Sequence, residues 1–256
     1  MDNELLLLSG NDIPFAAAGL VIHQPTIKEI AYLGEEVFFT GCEFLNFSKD
    51  MLPEEDKSRL ELYSNFDILM SIMKEKNATV LKNKLCIEMV LSLIFPTYQI
   101  EIKSEYISLV DQEDVEHQIN NNNFEDFKDI IVNMFRLTKR DKSEYQPMGE
   151  MAKKIADKLK KRHQKLAEQN KEKQKIAILN RYVSILATGQ RKDINTLLQY
   201  TVYQLFDEFS RYQLKVNYDI FVKAKLAGAK DIKDPDDWMK DLYDEEDKDD
   251  LHSMSL

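Results

Sequence analysis

The chain has 256 residues, 43% of them apolar and 31% charged, with 7 glycines and 6 prolines. That composition supports a folded core, excludes a disordered chain, and favours long helices over a turn-dense β-sandwich. Lys and Arg total 35 against 45 Asp and Glu, a net charge of -10, which argues against a general DNA-coating role because phosphate repels such a chain at long range.

Leu5–Leu8 and Leu20–His23 read as short strands, separated by Ser9-Gly10-Asn11-Asp12 and by Pro14. A helix is predicted from Thr26, because Thr26 and Glu29 have the spacing of a capping box and Pro25 blocks an earlier start. Ile27, Ile30, Ala31, Val37, Phe38 and Leu45 fall on one stripe of that helix. Gly34 and Gly41 lie on the same stripe, where they either permit close approach of another backbone or merely weaken the helix. Pro53-Glu54-Glu55-Asp56 opens a second helix with Leu62, Phe66, Leu69, Met70 and Met73 on its buried face. Leu81 to Phe95 is apolar nearly all round and reads as a central helix stopped by Pro96. Tyr98–Ile102 and Tyr106–Leu109 alternate as a hairpin, Glu113–His117 reads as a solvated acidic loop, and Phe124, Phe127, Ile131, Met134 and Phe135 mark a further amphipathic helix.

From about Thr138 the character changes. Between Lys153 and Lys175 there are ten Lys and Arg and three acids, and no apolar face, so Glu150 to about Ala187 reads as a solvated helical bridge. Beyond it, Leu198, Val202, Leu205, Phe206, Phe209 and Tyr212 form one stripe and Tyr218, Phe221, Val222 and Leu226 the next, ended by Gly228 at a left-handed cap. Asp234-Pro235-Asp236-Asp237 predicts a helix start, with Trp238, Met239 and Leu242 on the apolar side. The expected fold is therefore mainly α with a minor β component. It comprises an N-terminal α+β domain at 1–140, a bridging helix at 141–187, a small helical domain at 188–243 and an acidic tail at 244–256.

Cys42 and Cys86 are far apart and lack a CxxC, so neither a disulfide framework nor a zinc site is expected. No phosphate loop, nucleophile elbow or zinc-protease motif occurs, and His23, His117, His163 and His252 have no metal-ligand spacing. The expectation is a protein that is not an enzyme, with no catalytic residues, no cofactor and no metal. The lysine-rich stretch has no interleaved aromatics for base stacking, so nucleic acid is not an expected partner. Its apolar runs are too short to cross a membrane, which gives a cytoplasmic location.

Gln24-Pro25-Thr26 through Glu35, the lysine-rich middle, Gln204 to Arg211, Lys223 to Lys230 and Asp237-Trp238-Met239 together resemble proteins of long-tailed bacteriophages. The resemblance is to tail assembly chaperones encoded beside the tape measure protein. It implies a non-enzymatic protein that binds and solubilises the tape measure protein in the host cytoplasm and recruits tail tube subunits, with homo-oligomers compatible. The alternative is a structural virion component of the tail, neck or baseplate. Trp238, Met239, Leu242, Tyr203, Phe206 and Tyr212 are the candidate partner-binding residues. For Phe206 and Tyr212, completion of the small domain's own core is an equal reading.

Overall fold

The computed structural model describes residues 3–49, 59–74, 78–137, 178–229 and 234–239. The lysine-rich bridging segment, the acidic tail, Leu242 and the predicted helix start at Pro53 all lie outside these residues.

Helix α1 (Asn3–Ser9) replaces the expected first strand. Leucine is a strong helix former, and four in a row offer no alternation to fix a strand face. Its terminal carbonyls would be orphaned, and distant side chains take them up. Gln24 Nε2 donates to the Leu6 and Asn11 carbonyls at 3.2 and 2.6 Å, and Gln204 Nε2 donates to the Leu8 carbonyl at 2.9 Å. Strand β1 (Ile13–Phe15) pairs antiparallel with β2 (Leu20–Ile22), Ile13 opposite Ile22, through a single 3₁₀ turn at Ala16–Ala18 and a left-handed Gly19. In the sequence β1 is masked by Pro14, which reads as a turn residue. A two-stranded ribbon has an open edge, where proline's missing N–H is tolerated.

Helix α2 (Ile27–Leu33) begins with the predicted capping box: the Glu29 N–H donates to Thr26 Oγ1 at 3.3 Å and the Thr26 N–H to Glu29 Oε2 at 2.7 Å. The single helix expected through Leu45 is two, because Gly34 at φ +98° breaks it before α3 (Glu35–Leu45). Gly41 has the other role: a Cβ there would lie 2.6 Å from the Cys86 carbonyl oxygen. Helix α4 (Asn65–Met73) starts at a Ser64/Asp67 capping box and buries Phe66, Leu69 and Met70. Leu62, expected on its buried face, lies in a turn ahead of the helix and is 98% exposed.

Helix α5 (Ala78–Ile94) packs along α3 and buries Cys86, Ile87, Val90, Leu91 and Ile94. It is not buried all round, since Leu81, Leu85 and Met89 face solvent. The predicted hairpin is β3 (Gln99–Ile102) with β4 (Ile107–Val110), Ile100 opposite Leu109. A third strand, β5 (Glu116–Ile119), stands where an acidic loop was expected, with His117 opposite Leu109. Asp111 makes the turn into it, accepting the Glu113 and Val115 N–H groups at 2.8 and 2.9 Å. Helix α6 (Phe124–Met134) buries the predicted Phe124, Phe127, Ile131 and Met134, with Phe135 just beyond.

Helix α7 (Ile178–Gln190) is capped from afar: Glu35 Oε1 accepts the Ile178 and Leu179 N–H groups at 2.5 and 3.1 Å, placing a carboxylate at the positive end of the helix. Asp193 caps the short α8 (Ile194–Leu198). Helix α9 (Val202–Leu226) is one 25-residue helix with a Thr201/Gln204 capping box. It ends in a Schellman motif: Gly228, at φ +89°, donates its N–H to the Lys225 carbonyl and Ala229 donates to Ala224. The left-handed glycine is the one predicted.

The architecture is mainly α with minor antiparallel β. The expected division between 1–140 and 188–243 does not follow the packing of the described residues. Leu179, Val183, Leu186, Leu197, Val202, Tyr203 and Leu205 bury in the same core as Ile27, Phe38, Val90 and Phe127. The Ile27 N–H donates to the Tyr200 carbonyl at 2.8 Å, and Thr26 bridges Thr201. The linear order hid this because α2 and the α8–α9 turn meet only in space.

Candidate partner-binding surface

The predicted partner-binding residues separate into two groups. Tyr203 is a core residue, 2% exposed, with the Arg136 guanidinium 5.0 Å from its ring centre. Phe206 meets Tyr182 edge-on at 4.9 Å, and Tyr182 stacks on Phe209 at 4.1 Å. Burial raises the Tyr182 phenol above its ordinary range, against the opposing charge of Arg181. The Tyr212 ring sits directly over Gly189, in space a side chain there would occupy. Phe206 and Tyr212 thus join α7 to α9, the core reading the sequence left open.

Trp238 and Met239 form the second group. Residues 234–237 carry no regular structure, and Trp238-Met239 is a turn, so the helix expected to open at Asp234 is absent from the described residues. Arg211 Nη1 donates to the Trp238 carbonyl at 3.3 Å, which brings this turn to α9 one residue from Tyr212. Trp238 is half-buried, while Met239 is 69% exposed.

Two apolar surfaces went unpredicted as sites. The far half of α9 leaves the core after Leu214 and exposes Tyr218, Ile220 and Leu226 among Lys215, Asp219, Lys223 and Lys225. The outward stripe of α5 exposes Leu81, Leu85 and Met89 at i, i+4 and i+8. The only available signal for the second was that α5 is apolar on every face, more than a single buried side requires.

The polar clusters are built into turns and helix starts. His23 Nδ1 lies 2.9 Å from Asp12 Oδ1, and Nε2 lies 3.4 Å from Glu29 Oε1. Burial pulls the Glu29 carboxyl up, but the Thr26 N–H and hydroxyl together with His23 outweigh it and leave the carboxyl below its usual range. Lys192 contacts Glu208 and donates to the Tyr200 hydroxyl at 2.9 Å, tying α7's end to α9. On the sheet, Lys103 and Ser108 both donate to Glu116, and they hold its carboxyl at about 2. Burial raises the Cys42 thiol well above its ordinary range. No group of His, Cys, Asp and Glu able to hold a metal occurs among the described residues, and no described helix is long and apolar enough to cross a membrane. A cavity of about 270 Å³ between α1, β1 and α6 is lined by Leu7, Ile13, Asp126, Asp129, Ile130 and Asn133.

Residues 169–243 match the family model described as the YomV second domain, of a phage-type family. The matched span takes in α7, α8, α9 and the Trp238 turn, under a third of the chain, and it associates this part of the protein with bacteriophages. No curated protein and no solved structure gives a match.

Proposed function

We propose that the protein is a non-enzymatic tail assembly chaperone of a bacteriophage. It binds the tape measure protein in the host cytoplasm, keeps it soluble before the tube closes, and helps recruit tail tube subunits. The observation that supports this reading is the far half of α9, which lies inside the phage-type span. There Tyr218 and Leu226 stand exposed on one stripe of the helix, with the half-buried Phe221 and Val222 between them, among Lys215, Asp219, Lys223 and Lys225. Apolar side chains at helical spacing are what an amphipathic partner helix packs against, and the interleaved charges keep the free surface soluble. The Trp238 turn, held by Arg211, adds Met239 as a second apolar contact of this domain.

Co-expression with the phage's own tape measure protein tests the proposal. Tape measure protein should be soluble with the wild-type chain and insoluble alone. The double change Tyr218→Asp and Leu226→Asp should abolish the rescue while the melting temperature holds, because both side chains are exposed. Indifference of tape measure solubility to the wild-type chain would refute the proposal.

A further inference from the structure

The outward stripe of α5 fits one occupant on geometry and charge, and we propose that it is a second copy of the same stripe, packed antiparallel about Leu85. The buried side of α5 points to α3, through Cys86 and Val90 at Gly41. The opposite side carries Ala78, Leu81, Leu85, Met89 and Ser92, which are all exposed. At 1.5 Å of rise per residue, this row is about 20 Å long. Leu81, Leu85 and Met89 make it a continuous apolar row on the exposed side of the helix.

A twofold axis through Leu85 sets each residue against the one equally far on the other side. Leu85 then meets Leu85 of the second copy, Leu81 meets Met89, and Ala78 meets Ser92. The three large side chains then fill the centre of the contact, each able to enter a gap between side chains of the other copy, and the small Ala78 and Ser92 let the helices approach at its ends. The charges agree with the same register. An antiparallel twofold brings like flanks together, and one flank of the stripe carries both Lys84 and Glu88. These two form an i, i+4 pair at 3.9 Å within one chain, each about one-third exposed. In the pair of helices, Lys84 of one copy lies about 3 Å along the axis from Glu88 of the other, within reach of an intermolecular ion pair. Lys82, on the other flank, pairs with Glu36 of its own chain at 3.7 Å and so presents no bare charge to its counterpart. A contact of one helix on one helix falls short of the roughly 1,200–2,000 Å² of a stable interface, so the dimer is reversible and concentration-dependent. Such weak pairing suits a surface that stays soluble when dilute and gathers copies where they are locally crowded. Self-association at α5 is independent of whether α9 binds tape measure protein.

Sedimentation velocity of the full chain over about a hundredfold range of concentration is the test. The wild-type weight-average mass should rise from monomer toward dimer with concentration. Leu85→Glu, a change at a side chain already more than half exposed, should stay monomeric throughout. Lys84→Glu should weaken the dimer, and adding Glu88→Lys in the same chain should restore it by exchanging the charges. A wild-type chain that is monomeric at every concentration overturns the proposal, as does a dimer that survives Leu85→Glu. Failure of the charge exchange to restore pairing overturns the antiparallel register.

Discussion

Gly41→Ala sets two opposed effects against each other, and the structure decides between them. In a helix interior the change gains about 1 kcal/mol of intrinsic propensity. At this position, however, the new Cβ would lie 2.6 Å from both the Cys86 carbonyl oxygen and Val90 Cγ2, where ordinary contact begins at 3.4 Å. Neither neighbour can yield cheaply. The carbonyl is backbone of α5, and a β-branched side chain in a helix is held in one rotamer. Relief requires α3 and α5 to separate, which loosens Phe38, Cys42 and Leu45 on one helix and Val90 and Ile94 on the other, all fully buried. Overpacking of this kind costs about 1–3 kcal/mol, and contact with two atoms, one of them backbone, puts Gly41 at the upper end. The net expected loss is about 2 kcal/mol, which lowers the melting temperature by roughly 4–8 °C in a protein of this size. Thermal and denaturant unfolding followed by circular dichroism measures it. A melting temperature that is unchanged or raised would refute the close-approach account of α3 and α5.

Glu35→Ala removes the acceptor for the Ile178 and Leu179 N–H groups and should cost about 1 kcal/mol, read as a lower denaturant midpoint. Thr201→Ala removes a buried cap of α9 and should cost a similar amount, about 1 kcal/mol, whereas Thr201→Ser should recover most of it. Glu116 titrates at about 2 in the fold against an ordinary 4.5, so its contribution is complete above 4.5 and is lost as pH falls toward 2. Unfolding midpoints of the wild type should therefore fall across that window, and those of Glu116→Gln should fall less; parallel curves would show that the Lys103–Ser108–Glu116 cluster adds nothing. The Cys42 thiol is buried and held protonated, so iodoacetamide should label it only on unfolding, and rapid labelling of the native chain would contradict its placement.

What could be read from the sequence was what local chemistry decides. The Thr26–Glu29 box is complete within four residues, and Gly228 ends α9 with bonds to the preceding turn, so both were legible before folding was considered. Gly34 and Gly41 show where this stops. They share a stripe seven residues apart, yet one breaks a helix and the other admits a neighbouring backbone, and only the position of α5 distinguishes them. Strand β5 was hidden because its acidic and amide side chains face outward; Ile119 alone marks its buried end. Site residues were harder still. Tyr203 and Tyr218 both lie on apolar positions of α9, but Tyr203 lies within reach of the N-terminal core and Tyr218 beyond it. Since that core is assembled from residues nearly two hundred positions away, such as Leu7 and Ile27, no periodicity within α9 separates a core tyrosine from a surface one. The Leu81, Leu85 and Met89 stripe was obscured by the opposite problem, a helix apolar on both faces, in which the covered side is fixed only by α3.

The most direct test of the chaperone account is quantitative mass spectrometry of infected cells and of the purified phage particles they release. The account predicts that this chain co-purifies with tape measure protein from cells during assembly and is absent from finished particles. Its presence in finished particles at a fixed ratio to tail tube protein, with no association with free tape measure protein, would contradict the account and assign the chain to the virion structure.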